Sequence, residues 1–417
     1  MEPTSPGKDR PLDQRISQRT GLVVLGLCFV LAMLGRGLGE SFTVFLLPIS
    51  QSFGWDRAEV VSIYSLSALC SGLASPLVGR LFDRSGPRAV YTLGMVLLGG
   101  AFLAAAFAQQ LWQLQIAIGL CVGLGITFTG NVPNSILLGR WFGPRLPTAM
   151  AVVYSATGAG VLVMLPIAQL LIDQIGWRGA YQSFGAAMLV LLLPLLVLPW
   201  RRYAGGSEVL AQSALADPAD DGWTLRNAIR HHAFWALFAT FFFTAIGMYA
   251  IAPQVVAYLV DAGFPPLQAA TAWGFSGVVL VVGMLGVSWL DGVIGRRPSI
   301  LFSYAISITG IVMLWLVKWY PNYFLLTGFV LCFGSMIGSR GPLITATAMK
   351  VFRGKQVGLI YGTIAIGSGL GSAFGSWCGG LIHDLSNSYD PVIGFALVSV
   401  LIGMIPFLVV PALRERH

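Results

Sequence analysis

Charged residues are scarce in this sequence. They make up 10% of the 417 residues, whereas 56% are hydrophobic and the mean hydropathy is +0.77. A soluble globular chain carries about 25% charged residues, so this chain lacks the polar surface that a water-soluble body of its size needs. Because long apolar segments recur from end to end, we expect a lipid bilayer to surround most of the chain.

Cysteine, histidine and the motifs of common enzymes are also lacking. Five cysteines stand singly inside apolar runs, no C-x-x-C occurs, and the four histidines show no ligand spacing. We interpret the cysteines as small packing residues and expect no metal site, no cofactor and no catalytic residue. The patterns G-x-x-x-x-G-K-S/T, H-E-x-x-H and G-x-S-x-G do not occur, which argues against ATP-driven transport and against an intramembrane hydrolase.

What the sequence has instead is a series of twelve apolar segments, each long enough to cross a hydrocarbon core with about 20 residues. We predict an all-α membrane protein whose twelve transmembrane helices form two pseudo-symmetric six-helix bundles. Its parts are a cytoplasmic tail (1–20), an N-terminal bundle (21–199), a cytoplasmic linker (200–232), a C-terminal bundle (233–411) and a second tail (412–417). The predicted spans are 21–48, 58–79, 89–108, 112–139, 147–172, 179–199, 233–260, 268–290, 298–317, 322–349, 355–381 and 391–411.

Positive charge predicts the orientation of these spans. With the amino terminus inside, the outer loops hold only Arg57, Arg178 and Lys318 of the 25 Lys and Arg residues. Such a bias is the positive-inside signal. The first 20 residues are polar and indicate no cleavable signal peptide, so we expect both termini in the cytoplasm and the protein in the cell inner (plasma) membrane. The net charge of +8 then reflects topology, and no nucleic-acid partner is expected.

The two halves of the chain carry an internal repeat. Six residues of the first half recur in the second half, each 209 positions later. Agreement at one ungapped offset indicates a duplicated six-span unit, whose substrate site is expected between the repeats near the membrane midplane. The pairs are Gly54–Gly263, Gly86–Gly295, Arg88–Arg297, Pro133–Pro342, Gly158–Gly367 and Gly160–Gly369.

The loop after span 2 reads GRLFDRSGPR and contains the pattern G-x-x-x-D-R-x-G-x-R. This pattern resembles the signature loop of the major facilitator superfamily, and a weaker copy, SWLDGVIGRRP, begins at Ser288. The resemblance covers essentially the whole chain and implies a twelve-helix secondary transporter. It also implies that Asp83 meets the start of span 11 near Gln356, where a carboxylate suits the helix dipole. The gating residues so implied are Gly79, Asp83, Arg84, Gly86 and Arg88.

A second resemblance concerns the kind of substrate. The segment RWFGPRLPTAMAVVYSATGAGVLVMLPIAQLLIDQIGWRGAY, which begins at Arg140, is similar to the span 4–5 region of monocarboxylate-porter and oxalate/formate-type members. The segment SFTVFLLPISQSFGWDRAEV, from Ser41, is similar to their first span and loop. The resemblance implies transport of a small organic anion. Span 8 departs from it, since it lacks the arginine that these members commonly carry there.

Two arginines stand deep inside predicted spans. Arg36 lies about 15 residues into span 1 and Arg340 about 18 residues into span 10, so each is ~22–27 Å along its helix. An arginine costs ~2.5–3.5 kcal/mol at such depth, so both are expected to face the bundle interior or an aqueous cavity. A guanidinium grips a carboxylate with two parallel hydrogen bonds. We predict Arg340 as a substrate-carboxylate ligand, and Arg36 either as a second ligand or as the ion-pair partner of Glu40.

Further polar residues are predicted to line the same cavity. In the superfamily that the loop resembles, spans 1, 4, 7 and 10 line the cavity, and Asn131 is the repeat partner of Arg340. Glu40 is the one carboxylate deep in any predicted span: protonatable, it would suit proton–anion symport, and permanently ionised it would only orient Arg36. Packing is an equal alternative for Tyr154 and Tyr361. The remaining predicted substrate-binding residues are Asn131, Asn134, Tyr249, Gln254, Tyr154 and Tyr361.

These observations favour a monomeric secondary transporter of a small organic anion, a mono- or dicarboxylate, that works by alternating access. Its expected partners are that anion, protons and the lipid bilayer. Two alternatives stay open. A proton-coupled drug or cation efflux carrier of the same fold would need unpaired acids in its cavity. A non-transporting membrane sensor would normally need an added soluble domain, and the longest hydrophilic segment is 200–232.

Overall fold

The computed structural model describes residues 12–142, 146–205, 223–352 and 357–410, and the regular structure of these residues is helical throughout. Two short helices, Trp200–Gly205 and Leu225–Ile229, lie in the linker region. We number the spans 1–12 in chain order. Their helices are Leu12–Glu40 and Phe42–Phe53 (span 1); Arg57–Ala106 (spans 2 and 3); Leu111–Leu114, Gln115–Val122, Gly123–Thr129 and Asn131–Phe142 (span 4); Leu146–Val197 (spans 5 and 6); His232–Tyr249, Ala252–Gln254 and Val255–Asp261 (span 7); Pro266–Ile294 (span 8); Arg296–Val317 (span 9); Tyr323–Phe329, Val330–Gly334 and Gly341–Val351 (span 10); Val357–Ser386 (span 11); and Asp390–Val409 (span 12).

The helices match the predicted twelve-span membrane fold. Nine helices among the described residues are long and apolar enough to cross a membrane, and one of them, Ala149–Val197, contains both span 5 and span 6. Spans 10 and 11 complete the set as the shorter apolar helix Tyr323–Gly334 with its continuation and as Val357–Ser386. Large apolar side chains such as Val197, 84% exposed, cover the surface, as a lipid-facing surface requires. The protein is therefore a multi-pass integral membrane protein.

Glycines with positive φ separate consecutive spans. Gly86 (φ 76°) divides span 2 from span 3 and Gly176 (φ 73°) divides span 5 from span 6, so each long helix doubles back. The repeat pairs share this geometry, since φ is 69° at Gly54 and 98° at Gly263. Gly295, the partner of Gly86, has φ 94°. Such values favour glycine because a Cβ would clash with the backbone. We call the two ends of the helix bundle the Gly54 end and the Gly86 end, after the loops that they carry.

Four spans are interrupted near their middles, and the interruptions follow the repeat. The first helix of span 1 ends at Glu40, and the first helix of span 7 ends at Tyr249, which is the repeat partner of Glu40. Span 4 is interrupted at Gly130 and span 10 between Gly334 and Gly341. Irregular backbone at membrane depth is tolerated where it is buried in protein or lines a cavity. These four spans are the ones that the resemblance to the superfamily implies as the lining of the cavity.

Small residues bring the two six-span halves into close contact. Gly158 of span 5 faces Gly277 of span 8 so tightly that a methyl group on either would collide with the other's carbonyl oxygen. Gly72 of span 2 faces Gly369 of span 11, where a Cβ on Gly72 would lie 3.7 Å from the Gly369 Cα. These two helix pairs form the seam between the halves.

The seam is closed by polar contacts towards the Gly54 end. Ser65 of span 2 and Ser376 of span 11 are 2.7 Å apart through their hydroxyls. At the end itself, the Asp384 carboxylate accepts the backbone N–H groups of Arg57 (3.1 Å) and Ala58. The Arg57 guanidinium donates to Asp261 over 2.9 Å. Together these bonds join spans 2, 7 and 11 and hold this end of the bundle shut.

Candidate functional site

Arg36 lies in the sequence GRGLGE between two glycines, Gly35 and Gly37, whose lack of a side chain lets neighbouring helices approach closely. A methyl group at Gly35 would collide with the Thr129 hydroxyl of span 4, and one at Gly37 would lie 2.7 Å from the Gly160 carbonyl oxygen of span 5. Span 1 therefore packs against spans 4 and 5 through its glycines. Arg36 is half-buried, one turn before this helix ends at Glu40 and well inside span 1 as a whole.

Arg36 lies among one carboxylate and a group of tyrosines. Its guanidinium interacts electrostatically with Glu40 and with the hydroxyls of Tyr64, Tyr154 and Tyr249. Tyr249 lies beside it, and Tyr154 in turn lies close to Tyr361. These side chains come from spans 1, 2, 5, 7 and 11 and so from both halves. We call this group the Arg36 cluster: Arg36, Glu40, Tyr64, Tyr154, Tyr249 and Tyr361.

Arg36 and Glu40 do not form a contact ion pair. No guanidinium nitrogen of Arg36 comes within 4.0 Å of a Glu40 carboxylate oxygen. Glu40 instead accepts a hydrogen bond of 3.0 Å from the Tyr64 hydroxyl. The two charges therefore interact electrostatically without a contact ion pair, and the guanidinium of Arg36 donates no hydrogen bond to this carboxylate.

Tyrosine rings shape the space around Arg36. The rings of Tyr64 and Tyr249 are stacked with centroids 6.3 Å apart, and Phe42 packs against Tyr64 at 5.9 Å. Tyr154 is 41% exposed, so it faces open space. Several tyrosine hydroxyl donors around one guanidinium suit a small anion that needs several hydrogen bonds.

Arg340 lies elsewhere, inside the C-terminal half. Its side chain is 3% exposed and turns towards span 9. Nε donates to the Ser303 hydroxyl over 3.0 Å, and Nη2 donates to the Ser303 carbonyl oxygen over 2.7 Å and to the Ser307 hydroxyl. The guanidinium also covers the ring of Tyr304, with 4.0 Å from Cζ to the ring centroid. The structure does not bring Arg340 into the Arg36 cluster.

The surroundings of Arg340 extend this network through the bundle. The Tyr304 hydroxyl lies 2.7 Å from the Thr244 hydroxyl of span 7 and donates to the Gly403 carbonyl oxygen of span 12 over 2.9 Å. Arg340 thus belongs to a set of bonds that ties spans 7, 9, 10 and 12 together. This arrangement is typical of a residue that stabilises the packing of the helices.

Asn134 lies inside the N-terminal half, three residues after the repeat partner of Arg340. It is buried, accepts a 2.8 Å hydrogen bond from the Tyr91 hydroxyl of span 3, and donates to the carbonyl oxygens of Thr129 and Cys28, both at 3.4 Å. Pro133 has no N–H to offer the Thr129 carbonyl, so the Asn134 amide replaces the bond that the proline removes. Asn131, half-buried, begins the following helix.

Gln254 lies at the closed seam. It is 2% exposed, and its Nε2 donates to the Ala250 carbonyl oxygen over 3.4 Å. A methyl group on Gly379 of span 11 would lie 3.0 Å from that nitrogen. Gln254 therefore packs between spans 7 and 11, apart from the Arg36 cluster.

The predicted gating loop is described only in part. Gly86 makes the turn, Arg84 and Arg88 are exposed, and Arg88 donates to the Leu196 carbonyl oxygen of span 6 over 3.3 Å. Gly79 is half-buried, and a methyl group there would lie 4.0 Å from Val132 of span 4. The contact predicted between Asp83 and Gln356 lies outside the described residues, because neither the Asp83 side chain nor Gln356 is among them.

The second copy of the loop carries an ion pair of its own. The carboxylate of Asp291, which stands one position before the slot that corresponds to Asp83, lies 3.6 Å from Nε of Arg296. Gly295 makes the turn between them. The carboxylate of Asp291 therefore forms its ion pair within its own loop.

Sequence reasoning missed Tyr64. The residue belongs to span 2, and the expectation that spans 1, 4, 7 and 10 line the cavity left that span out. Its hydroxyl reaches Glu40 only because spans 1 and 2 pack at this level. A sequence signal for it would have required the distance between two helices, which periodicity does not contain.

The chain belongs to the Major Facilitator Superfamily, since the model of that family matches residues 25–376. The protein is therefore a multi-pass transporter of that superfamily, and the family points away from an enzyme.

Curated relatives narrow the comparison. The chain is 25% identical over 415 residues to the "Uncharacterized MFS-type transporter YcxA" of Bacillus subtilis (strain 168), which covers 97% of this chain and 99% of that protein. It is 26% identical to Monocarboxylate transporter 3 of Rattus norvegicus over 373 residues, 89% of this chain and 75% of that protein. Identity is also 26% to Monocarboxylate transporter 13 of Bos taurus over 376 residues, 88% of this chain and 84% of that protein.

Proposed function

We propose that the protein transports a small monocarboxylate and that Arg36 binds the carboxylate. The observation that carries the proposal is the position of Arg36, a charge held well inside span 1, without a contact ion pair to Glu40 and among tyrosine hydroxyls from both halves. A charge at this depth is a functional site by default. The relatives named monocarboxylate transporters, at 23–26% identity, support the same substrate class.

Arg36 suits the role better than Arg340. A substrate ligand must reach the space between the halves, and Arg36 interacts with Tyr249 across that space. Arg340 directs Nε and Nη2 to Ser303 and Ser307 within one half. We therefore assign substrate binding to Arg36 and bundle stability to Arg340.

We infer that transport proceeds by alternating access between the two halves. The bias of Lys and Arg towards the Gly86 end assigns that end to the cytoplasm and the Gly54 end to the outside. The bonds of Ser65, Arg57 and Asp384 across the seam then close the outer entrance. Opening requires these bonds to break while the halves rotate about the site.

We propose proton coupling through Glu40. It is a carboxylate at membrane depth, adjacent to the proposed anion site and hydrogen-bonded to Tyr64. Proton and anion would arrive as a neutral pair, which removes the cost of carrying a net charge across the hydrocarbon core. If Glu40 stayed ionised, its charge would already balance that of Arg36, and the bound anion would add an uncompensated negative charge.

The experiment is an uptake screen on the purified protein in proteoliposomes. Radiolabelled mono- and dicarboxylates are offered with and without a pH gradient, and an organic cation serves as the comparison substrate. We expect saturable uptake of a monocarboxylate that an inward proton gradient increases. Movement of the cation without any carboxylate transport would contradict the proposal and favour a cation carrier of the same fold.

A further inference from the structure

Tyr64 connects the proposed proton site to the closed seam. Its hydroxyl donates to Glu40 Oε2 over 3.0 Å, and its ring stacks on Tyr249 of the other half. The next residue, Ser65, lies 2.7 Å from Ser376 across the seam. Two adjacent residues of span 2 therefore make both contacts: Tyr64 binds the Glu40 carboxylate, and Ser65 contacts the opposite half of the protein.

The groups that face Glu40 come from several helices. Arg36 lies on the same span, Tyr64 on span 2 and Tyr249 on span 7, and each interacts with it electrostatically. Tyr154 of span 5 interacts with Arg36 rather than with Glu40 directly. Span 4 contributes the apolar Ile126, which packs against Gly39. Tyr64 is the partner that donates a hydrogen bond to the carboxylate.

A second titratable group lies at the Gly54 end and must be distinguished from Glu40. His383 and Asp384 are 3.3 Å apart, and Asp384 holds the start of span 2 through backbone N–H groups. Arg57 and Asp261 complete this group. It contacts the same helix as Tyr64 but at the end of the span, so it provides an alternative source of pH dependence.

We propose that Tyr64 is a positioning residue that keeps the Gly54 end closed while Glu40 is ionised and releases it when Glu40 takes up a proton. A hydroxyl donates a stronger hydrogen bond to a carboxylate than to a neutral carboxyl group, by roughly a factor of two. Ionised Glu40 therefore holds Tyr64 and the adjoining turn of span 2 in the position that the Ser65–Ser376 contact needs. Protonation weakens that hold and favours an open Gly54 end. The inference rests on the proposed function for the assignment of the proton to Glu40.

Tyr64 would couple protonation of Glu40 to opening of the Gly54 end without carrying the proton itself. Tyr64 neither touches the proposed anion ligand Arg36 through a hydrogen bond nor changes its own charge in the cycle. It acts through the geometry of Glu40 and of span 2. A hydroxyl deletion should therefore change the pH dependence of gate opening more than it changes substrate affinity.

The test measures hydrogen exchange in the full-length protein without substrate, in lipid nanodiscs at mildly acidic and mildly alkaline pH. Exchange in residues 57–66 is corrected for the intrinsic effect of pH on amide exchange. In the wild type we expect exchange about fivefold faster at acidic pH, because the charge-assisted bond is lost. Tyr64→Phe should exchange fast at both pH values. Tyr181→Phe is the matched control, since it removes a buried tyrosine hydroxyl that has no partner among the described residues.

Two further variants separate the alternatives. Glu40→Gln should exchange fast at both pH values and so resemble Tyr64→Phe, whereas His383→Asn should keep the wild-type pH dependence. The inference is overturned if Tyr64→Phe keeps the wild-type pH dependence or if His383→Asn abolishes it. Carboxylate uptake is measured in parallel. Absence of uptake with a Tyr64-dependent gate would remove the proposed substrate but leave the link between Glu40 and the gate in place.

Discussion

The two membrane-embedded arginines differ in what their guanidinium groups contact. Arg340 directs Nε and Nη2 at serines of span 9 and covers a tyrosine ring within its own half. Arg36 makes no contact ion pair with the described residues and faces hydroxyls from both halves. Depth in the membrane is similar for both. The proposed assignment of Arg36 as a ligand and of Arg340 as a structural residue therefore rests on the identity and location of their partners.

The repeat makes this difference more informative. Arg340 is the repeat partner of Asn131, and Glu40 is the repeat partner of Tyr249. The backbone interruptions of spans 1 and 7 therefore coincide, yet one carries an acid and the other a phenol. The two repeats therefore share the helix breaks, whereas the side chains at the breaks differ in chemical type. The acid and the guanidinium of the Arg36 cluster both come from span 1.

The largest expected effect separates the arginines by stability. Arg340→Met removes the hydrogen bonds that Nε and Nη2 donate to Ser303 and Ser307 and the contact of the guanidinium with the Tyr304 ring, and we expect it to lower the free energy of unfolding by about 2–4 kcal/mol. Arg36→Met removes no hydrogen bond of the bundle interior and is expected to change it by less than about 1 kcal/mol. Thermal unfolding of both variants in the same detergent measures the difference. Equal losses would show that the two arginines have the same structural role.

The next prediction concerns Glu40, since no carboxylate lies beside Arg340 among the side chains that the structure describes. Glu40→Gln keeps the size of the side chain but cannot bind and release a proton. We expect counterflow exchange of the substrate to continue and accumulation driven by a pH gradient to be lost. The two assays are run on one preparation of proteoliposomes. Accumulation at the wild-type level would mean that another group carries the proton.

A smaller effect is expected from removing one tyrosine hydroxyl near each arginine, that of Tyr304 beside Arg340 and that of Tyr249 beside Arg36. Tyr304→Phe removes the bonds to Thr244 and Gly403 and should lower stability by about 1 kcal/mol without changing substrate affinity. Tyr249→Phe should do the reverse, weakening affinity by about fivefold with stability unchanged. Unfolding temperature and transport KM are measured for each variant. The comparison fails if both variants show the same pattern.

The fold was predictable from the sequence because its signals are local or repeated. Apolar length fixed the spans, and Gly86 and Gly295 marked turns that the structure makes with positive φ. The charge bias and the signature loop led to the superfamily that the family match shows. The interruption of span 1 at Ser41 was not predicted, since no proline or glycine stands at that residue.

The site was predictable only in part. Sequence reasoning selected Arg36, Glu40 and Tyr249, which the structure brings together. It also selected Arg340, whose serine partners lie on span 9 and could be found only from the packing of spans 9 and 10. Tyr64 was missed for the same physical reason. The direction in which a side chain points from a membrane helix depends on the neighbouring helix, and one sequence does not contain that information.

The most direct test of the account is transport by Arg36→Gln and Arg340→Gln, compared with the wild type in proteoliposomes and corrected for the amount of folded protein. We predict that Arg36→Gln loses saturable carboxylate uptake while its unfolding temperature stays close to that of the wild type. Arg340→Gln should unfold at a lower temperature, and its folded fraction should keep the wild-type KM. Saturable uptake with an unchanged KM in Arg36→Gln would contradict the assignment of the carboxylate to Arg36.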